Sequence, residues 1–516
     1  MNGLARLKNQ VAVIGIGNTK YGSFPDIDEY GLAAQAFRDA LADCGIDKNR
    51  IDGLVVCRIP YYARMGEVLG LDPRWSLTLP PHGRMSGIGI IEAATAIDAG
   101  HATHVALLYA NIGRSRRVNY GGEESPGTWD PWGMTSPGAA HAMMFQRHMA
   151  LYGTTSRQLA EVSVAIRYHA CLNPDAVMRN PITIEDHQSA RFIAAPLRLL
   201  DYCLINDGAV CLILTSAERA RDCLQTPVFI SGFGAQESFS RSAIANFDLD
   251  FWYPAVRAAG EQAYAMAGVA NNDVDALMCY DNFSPTVLFS LEGLGFCPRG
   301  EAGRFVEGGT LSLGGKLPVN TDGGHLSNSY MQGWALNVEA VRQLRGECGA
   351  RQVKDCEVVQ YVQATPVRVR SSIRAADGSV TMHEAYDKPL PHITPLNRPF
   401  WDAARENRLL VQACSACGDT RFPPSPVCPK CLSPDQRWTQ CTGQGTLESW
   451  VDFHRAYWVG YNDALPYRVC LVRLAEGPLL ISNLVGAPAD ARLGAPVHVV
   501  FDKVTEEVTL PKFAIG

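Results

Sequence analysis

Two tyrosines occupy positions where a phenol could transfer protons. Tyr280 begins the segment "YDNF" directly after the apolar run "VDALMC", and Tyr330 lies in "NTDGGHLSNSYMQGW", beyond a Gly-Gly pair. A tyrosine can give or take a proton in catalysis if its surroundings move its pKa from about 10 toward the working pH. Either residue could instead be a half-buried aromatic that serves packing. The two positions alone leave both interpretations open.

Four cysteines have the spacing of metal ligands. Cys414 and Cys417 form one Cys-x2-Cys pair, and Cys428 and Cys431 form a second pair beyond a short loop that contains prolines. Two such pairs can hold one tetrahedral ion, and four thiolates suit zinc. Because four protein ligands leave no position for water, the sequence predicts a structural zinc and not a catalytic one.

The composition restricts the classes of partner. The chain has 516 residues, of which 47% are hydrophobic and 19% charged, so two or three globular domains are expected. The 46 lysines and arginines and 52 aspartates and glutamates give a net charge of −6, with no basic tract, which argues against nucleic acid. No apolar run reaches membrane-spanning length, and the N-terminus lacks the features of a signal peptide. We therefore expect no membrane partner.

The use of cysteine indicates a cellular compartment. The chain has 16 cysteines, of which four form the cluster above and the rest are scattered singly, mostly in apolar context. Buried single thiols beside one metal site are typical of a reducing environment. We expect a cytoplasmic protein.

The elements that must position the tyrosines alternate between strands and helices. "QVAVIGIG", "IDGLVV", "HVALLYAN", "VDALMCYD" and "CEVVQYVQA" have the composition of buried strands. "DEYGLAAQAFRDALADCGI", "SGIGIIEAATAIDAG" and "ALNVEAVRQLRG" have helical spacing and end in glycine. This alternation predicts an α/β fold, with a parallel or mixed sheet covered by helices. The two halves look alike, which favours a duplicated architecture.

The alternation ends near residue 375, where the chain changes character. We expect a domain at 1–375, a proline-containing linker at 376–398, a helix and zinc ribbon at 399–440, and a β-barrel at 441–516. Five short strands separated by turn residues support the barrel: "GTLESWVDFHR", "YRVCLVRL", "PLLISNLVG", "PVHVVFDKV" and "VTLPKFAI".

Several segments resemble known proteins. "VAVIGIGNTKYG", "LDYCLINDGAVCLILTS", "YDNFSPTVLFSLEGLGF" and "NTDGGHLSNSYMQGW" resemble the thiolase superfamily, in the branch of lipid-transfer and sterol-carrier-protein thiolases. "RPFWDAARENRLLVQACSACGDTRFPPSPVCPKC" and "GQGTLESW" resemble the zinc-ribbon and OB-fold domain that accompanies thiolase-like proteins. The resemblance implies a duplicated, five-layer αβαβα fold that is followed by a zinc ribbon and a small OB-fold barrel. It also implies a homodimer that binds coenzyme A thioesters.

The departures from the thiolase pattern concern the reacting groups. Arg84, in "GRMSG", stands where a thiolase has its nucleophilic cysteine, and "VQATPVRVRSS" lacks the cysteine and the glycines of the second active-site loop. Tyr280 and Tyr330 stand where two active-site histidines are expected. The machinery for covalent acyl transfer is therefore absent at all four positions.

Two tyrosines in place of two histidines resemble the steroid side-chain aldolases of this branch. The resemblance implies retro-aldol cleavage of a bulky β-hydroxyacyl-CoA, with a steroid-like or aromatic side chain, to a ketone or aldehyde and acetyl-CoA or propionyl-CoA. Two alternatives are an acyltransferase with an unrecognised nucleophile and a non-catalytic acyl-CoA- or lipid-binding scaffold. A hydratase that supplies the β-hydroxy compound is a possible partner.

The remaining candidates surround the two tyrosines. They are Arg84, Ser86, Asn282, Gly323, Gly324 and His325. The resemblance places the backbone near Ser86 and the two glycines at the thioester oxygen, where donors would stabilise an enolate. Arg84 could pair with a phosphate or the enolate, or form a salt bridge. His325 could contact the substrate or hold a loop, and Asn282, with Asp281, could orient its loop.

Overall fold

The computed structural model describes residues 6–81, 83, 85–118, 129–236, 252–363, 386–428, 430–431, 433–486 and 491–516. The helices in these residues are α1 (Glu29–Cys44), α2 (Tyr62–Leu69), α3 (Met85–Asp98), α4 (Pro137–Tyr152), α5 (Ser156–Leu172), α6 (Ile184–Ser189), α7 (Ala217–Ala220), α8 (Trp252–Ala267), α9 (Ser284–Gly293), α10 (Ala302–Phe305), α11 (Trp334–Arg345) and α12 (Arg398–Arg405).

The strands are β1 (Val11–Asn18), β2 (Gly53–Cys57), β3 (Trp75–Leu79), β4 (His104–Ile112), β5 (Phe192–Ala195), β6 (Leu197–Arg198), β7 (Asp207–Ser216), β8 (Val228–Phe229), β9 (Ala276–Cys279), β10 (Val359–Val362), β11 (Leu410–Cys414), β12 (Thr420–Arg421), β13 (Gln436–Gln440), β14 (Gln444–Phe453), β15 (Tyr467–Leu474), β16 (Leu479–Val485), β17 (Pro496–Lys503) and β18 (Thr509–Ile515). Every strand and helix quoted above from the sequence is present.

The first part of the chain forms a mixed six-stranded sheet in the order β3-β2-β4-β7-β1-β8. β2 runs parallel to β3 and β4, whereas β7 is antiparallel to β4 and β1. The glycines of β1 serve close packing: a Cβ on Gly17 would lie 2.1 Å from the carbonyl oxygen of Ala36 in α1. These glycines let the helix approach the strand.

Five layers can be followed through the buried clusters. α1 and α2 cover one face of the six-stranded sheet, and α3 and α11 cover the other. α11 also packs on a second sheet, in which β9 and β10 run parallel. α4, α5, α8 and α9 cover the outer side of that second sheet. The expected αβαβα arrangement is confirmed, and Tyr280 directly follows a strand of its second sheet.

The C-terminal part contains the two expected β structures. β12, β11 and β13 form the small ribbon sheet that carries the cysteine pairs. The five barrel strands are ordered β15-β16-β18-β17-β14, and pairing of β14 with β15 closes the barrel.

The barrel is joined to the α/β part by backbone and side chains. β14 pairs antiparallel with β5, so that Phe453 faces Ala194. Trp132 stacks on Trp401 with ring centroids 5.9 Å apart, and its indole N–H donates to the carbonyl oxygen of Pro511 over 2.9 Å. Buried residues of both parts belong to one hydrophobic cluster. The two parts therefore share a core.

None of the helices in the described part of the chain is both long enough and apolar enough to span a membrane.

Candidate active site

The two tyrosines meet in the interior. The hydroxyl oxygens of Tyr280 and Tyr330 lie 3.1 Å apart and form a hydrogen bond in which either can be the donor. The exposed fractions of the two residues are 1% and 9%. Fifty positions separate them in sequence, so only the fold brings the phenols together. A hydrogen-bonded pair of this kind can pass a proton from one oxygen to the other.

Hydrogen bonds fix the backbone at Tyr280 and at the residue before it. Its N–H donates to the carbonyl oxygen of Val362 on β10 over 2.9 Å. The residue before it, Cys279, is clamped by Asn320: the amide oxygen accepts from the Cys279 N–H over 2.7 Å, and the amide nitrogen donates to the Cys279 carbonyl over 2.8 Å. Asn320 adopts a φ of 50°, a region that non-glycine residues seldom occupy. The clamp fixes the end of β9, from which the phenol projects.

Tyr330 is held from the first sheet. Its N–H donates to the side-chain oxygen of Asn206 over 2.7 Å. Asn206 stands just before β7, and its own carbonyl oxygen accepts from the Asn111 amide over 3.1 Å. The second phenol is therefore positioned by residues at the end of β4 and the start of β7.

His325 lies against both phenols. Its ring centroid is 4.7 Å from that of Tyr280 and 5.3 Å from that of Tyr330, with edge-on geometry in both cases. Its Nε2 accepts the Gly333 N–H over 2.9 Å, and its Nδ1 lies 3.0 Å from Asp281 Oδ1. Because Nε2 accepts, Nδ1 carries a ring proton, which lies near the carboxylate without forming a hydrogen bond to it. The imidazole therefore acts as a fixed spacer beside the phenols.

Asp281 and the two glycines shape the turn that carries His325. Asp281 is fully buried and accepts the backbone N–H groups of His325 and Leu326. Gly323 and Gly324 have φ values of 101° and 55°, and a Cβ on Gly324 would lie 2.2 Å from an Asp281 oxygen. Glycine is required here by both the backbone conformation and the space.

The N–H groups of these two glycines are already used. Gly323 donates to the carbonyl oxygen of Asn320 over 2.9 Å, and Gly324 donates to Asp322 Oδ1 over 2.8 Å. Neither is directed at a ligand in this conformation.

Burial controls the electrostatics of the site. Burial, and after it the neighbouring Tyr330, raise the pKa of Tyr280 well above its usual value. Tyr280 is therefore a neutral phenol at ordinary pH. Burial also raises the pKa of the Cys203 and Cys279 thiols nearby. These thiols are protonated at neutral pH and are poor nucleophiles.

The start of α3 lies against the phenol pair. A Cβ on Gly83 would lie 2.0 Å from the Tyr280 hydroxyl oxygen, so this loop touches the phenol directly. Ser86 is fully buried, and its Oγ is 2.7 Å from the Tyr361 hydroxyl. Arg84 itself lies outside the described residues, as does most of the segment "VQATPVRVRSS".

Asn282 has a local role at the start of α9. Its side-chain oxygen accepts from the Thr286 hydroxyl over 3.0 Å, and its carbonyl oxygen accepts the Cys203 N–H over 3.0 Å. The structure thus brings Tyr280, Tyr330, His325 and Ser86 into one region and uses Asn282 to hold the loop. The sequence analysis did not single out Asn320 and Asn206. Each is the first residue of a conspicuous segment, "NTDGG" and "NDGAV", and that position was the available signal.

The four cysteines form a compact group. Their sulfur atoms all lie within 4.8 Å of one another, with Cys414 and Cys431 3.5 Å apart and Cys417 and Cys428 3.6 Å apart. Four sulfurs about 2.3 Å from a tetrahedral zinc would be separated by about 3.8 Å. The donor set and its size therefore fit zinc, and the ion would join the two loops of the ribbon.

Comparison with known families agrees with this architecture. Residues 237–366 match the thiolase C-terminal domain-like family. Residues 401–435 match the ChsH2 rubredoxin-like zinc ribbon domain, and residues 438–502 match the ChsH2 C-terminal OB-fold domain. A thiolase-like catalytic fold, a zinc ribbon and an OB-fold barrel are thus joined in one chain.

Individual relatives define the family more closely. The chain is 36% identical to the 17-hydroxy-3-oxo-4-pregnene-20-carboxyl-CoA lyase of Mycobacterium tuberculosis, across 66% of this chain and 92% of that protein. It is 34% identical to the steroid side-chain-cleaving aldolase of Thermomonospora curvata, across 72% of this chain and 99% of that protein. The solved Ltp2-ChsH2(DUF35) aldolase is 34% identical, with a TM-score of 0.65 across 70% of this chain and 96% of that one. The chain belongs to the thiolase-like family that includes these steroid side-chain aldolases.

Proposed function

We propose that this chain is a carbon–carbon lyase that cleaves a bulky β-hydroxyacyl-CoA by a retro-aldol reaction. The observation that carries the proposal is the buried Tyr280–Tyr330 hydrogen bond of 3.1 Å. The relatives named as a pregnene carboxyl-CoA lyase and a steroid side-chain-cleaving aldolase support a steroid-like acyl group. The products are a ketone or aldehyde and acetyl-CoA or propionyl-CoA.

The reaction needs one proton to leave oxygen and one to arrive at carbon. As the bond between the α and β carbons breaks, the β-hydroxyl loses its proton and becomes a carbonyl, while the electron pair passes to the thioester as an enolate. One phenol receives the hydroxyl proton and gives its own to the other phenol, which protonates the α carbon. Both phenols are neutral before and after this relay, which suits the raised pKa of Tyr280.

The other residues of the site support the pair. In our proposal His325 and Asp281 hold the phenols at hydrogen-bonding distance, and Gly323 and Gly324 allow the turn that carries His325. The start of α3, with Ser86, lies on the side where the thioester binds. A helix N-terminus there favours the negative charge of the enolate.

A test replaces each phenol separately. Tyr280→Phe and Tyr330→Phe keep the ring, so the fold should survive while kcat falls by about 10²- to 10⁴-fold, as is typical on removal of a proton-transfer group. KM should change little, because the hydroxyl acts mainly in the transition state. The measurement is release of short acyl-CoA from β-hydroxyacyl-CoA substrates, followed by mass spectrometry.

Tyr264→Phe is the matched control. Tyr264 is a half-buried tyrosine whose hydroxyl donates to Gln360 over 2.9 Å, away from the phenol pair. It should keep the parent rate. Parent rates in both active-site variants would refute the proposal. CoA-dependent cleavage of a β-ketoacyl-CoA would favour an acyltransferase, and binding without products would favour a scaffold.

We also propose the partners and place of this reaction. Hydration of an α,β-unsaturated acyl-CoA is one route to a β-hydroxyacyl-CoA, and we propose a hydratase as the partner that acts before this enzyme. β3 has β2 as its one neighbour in the described part of the first sheet, which leaves an edge through which two copies can pair into a homodimer. A sizing column tests the dimer.

The cysteines also support a cellular compartment for this reaction. The single, mostly buried thiols fit the reducing cytoplasm.

A further inference from the structure

One short segment binds both loops of the phenol pair. Residues 201–207, which we call the strap, end at the start of β7. In the strap, Cys203 donates its N–H to the carbonyl oxygen of Asn282 over 3.0 Å, in the loop that carries the first phenol. The next residue, Leu204, donates its N–H to the carbonyl oxygen of His325 over 3.0 Å, in the turn that leads to the second phenol. Two adjacent residues of the strap therefore hold the two catalytic loops.

Asp201 fixes the end of the strap near the first phenol. It is fully buried, and its Oδ1 accepts from the Ser284 hydroxyl and from His187 Nε2, the latter over 2.8 Å. Its Oδ2 accepts the Arg198 N–H over 2.7 Å. Ser284 is the first residue of α9 and directly follows the segment "YDNF". The carboxylate therefore ties the strap to the end of the loop that carries Tyr280.

Ser284, Asp201 and His187 do not form a nucleophilic triad. The carboxylate lies between the hydroxyl and the imidazole, so the histidine is not placed to take the hydroxyl proton. The Gln188 amide donates to His187 Nδ1 over 3.1 Å, so Nε2 carries the ring proton and donates it to Asp201. All three side chains of the group are fully buried. The group therefore serves to hold the start of α9 against the strap.

Asn206 fixes the other end of the strap, near the second phenol. It is 2% exposed, and its Oδ1 accepts the Tyr330 N–H over 2.7 Å. The following residue, Asp207, is fully buried and accepts the N–H of Phe24 over 2.7 Å and that of Arg114 over 2.9 Å. These two partners follow β1 and β4, so this end of the strap is anchored to the first sheet.

We propose that the strap sets the separation of the two phenol oxygens, with Asp201 and Asn206 as its positioning residues. Tyr280 follows a strand of the second sheet, whereas Tyr330 is tied to the edge of the first, so an element that binds both loops fixes their distance. This inference rests on the proposed function, because the proposed proton relay needs the 3.1 Å contact between the phenols. A hydrogen bond weakens when its two oxygen atoms move apart or lose their alignment.

The test removes one hydrogen bond at each end of the strap. Asn206→Ala removes the acceptor of the Tyr330 N–H, and Ser284→Ala removes the hydroxyl that binds Asp201. Each should lower kcat by about 10- to 100-fold, in the range that small misplacements cause, and leave KM within about twofold. Acyl-CoA release from a β-hydroxyacyl-CoA with a steroid acyl group measures both constants. Ser284→Ala, the smaller change, serves if Asn206→Ala does not fold.

A double-mutant cycle separates positioning from a general loss of structure. In the Tyr280→Phe background, Asn206→Ala and Ser284→Ala should each lower kcat by less than about twofold, because no phenol pair remains to be misaligned. A variant that acted only through stability would lower kcat by the same factor in both backgrounds. Asn397→Ala is the matched control: the Asn397 side-chain oxygen accepts the Thr394 N–H over 2.7 Å, at the start of α12. It should keep the parent kcat.

The outcomes distinguish the strap from the lyase reaction itself. Parent kcat in folded Asn206→Ala and Ser284→Ala would overturn the role of the strap and leave the lyase proposal intact. Equal losses of kcat in the parent and Tyr280→Phe backgrounds would do the same. A parent rate in both Tyr280→Phe and Tyr330→Phe would overturn the lyase mechanism, and the strap proposal with it.

Discussion

At the level of single residues, the chemistry depends on a phenol that stays protonated. The raised pKa of Tyr280 has its cause in burial and in the second phenol. In the unfolded chain a tyrosine loses its proton near pH 10, whereas the folded protein retains it to higher pH. Tyr280 therefore contributes no pH dependence of stability below about pH 10, and above it the unfolded state is favoured as pH rises.

This predicts a specific loss of stability in alkali. The free energy of unfolding should begin to fall above about pH 8.5, because buried thiols such as Cys203 and Cys279 keep protons that the unfolded chain loses, and above about pH 10 each such buried tyrosine should add about 1.4 kcal/mol per pH unit to the fall. Tyr280→Phe should show a shallower fall, because one of these groups is gone. Urea unfolding at a series of pH values measures both slopes. Equal slopes for parent and variant would contradict the account of Tyr280.

A second prediction concerns His325, which we treat as a positioning residue. His325→Phe keeps a ring beside Tyr280 and Tyr330 but cannot accept the Gly333 N–H. The phenols should lose their alignment, so kcat should fall by about 10- to 100-fold, a loss of the size that small misplacements cause, with KM nearly unchanged. His325→Gln places an oxygen near the position of Nε2 and should recover most of kcat. Steady-state kinetics measures kcat and KM separately for both variants.

The control for His325 is another buried histidine. His104 is 3% exposed and lies at the start of β4, where its Nδ1 is 3.1 Å from the Thr103 hydroxyl. His104→Phe should lower the melting temperature and leave kcat unchanged. If His325→Gln were as slow as His325→Phe, the bond to Gly333 would not be what positions the phenols.

At the level of elements, the turn before Tyr330 is specified by its glycines. Gly324→Ala would force a Cβ to within 2.2 Å of an Asp281 oxygen at a φ of 55°. The left-handed conformation costs about 1–2 kcal/mol, and overpacking adds about 1–3 kcal/mol. Gly308→Ala is the matched control, since Gly308 has a φ of 68° and no atom within 4 Å of its Cβ position.

Denaturant unfolding and kinetics distinguish the two glycine variants. Gly308→Ala should lose only the conformational part, about 1–2 kcal/mol, and keep its activity. Gly324→Ala should lose more stability and also activity, because Asp281 holds the backbone of His325. Similar losses in both variants would mean that the contact with Asp281 has no role.

Local patterns predicted the elements well, because their signals are local. The periodicity of "DEYGLAAQAFRDALADCGI" and the glycine after it correctly gave α1 and its end at Gly45, and all five barrel strands were predicted. The resemblance supplied the positions of Tyr280 and Tyr330. The clamp of Asn320 on Cys279 and the packing of His325 against both phenols depend on residues far apart in sequence, so no local period could indicate them. The pairing of β14 with β5 was missed for the same reason.

For the whole molecule, the shared core argues that the barrel remains bound to the catalytic part. Trp132 is fully buried, stacks on Trp401 and donates to the Pro511 carbonyl, and its own carbonyl oxygen accepts from the Asn483 amide over 2.8 Å. Buried contacts that combine aromatic stacking with hydrogen bonds make a permanent interface between the two parts more favourable than a hinged one.

Cleavage of the chain between the catalytic part and the ribbon and barrel tests the interface that holds them together. A protease site inserted at 376–385 allows full-length protein to be cleaved after folding. The two halves should co-elute from a sizing column with lyase activity retained. In Trp132→Ala they should separate or exchange, because truncating a buried tryptophan costs about 3–5 kcal/mol. Arg473→Ala is the control: Arg473 is 46% exposed and pairs with Glu448 inside the barrel over 3.0 Å, so its cleaved form should stay together. Separation of the cleaved parent into two halves would show that the shared core does not hold the barrel in place.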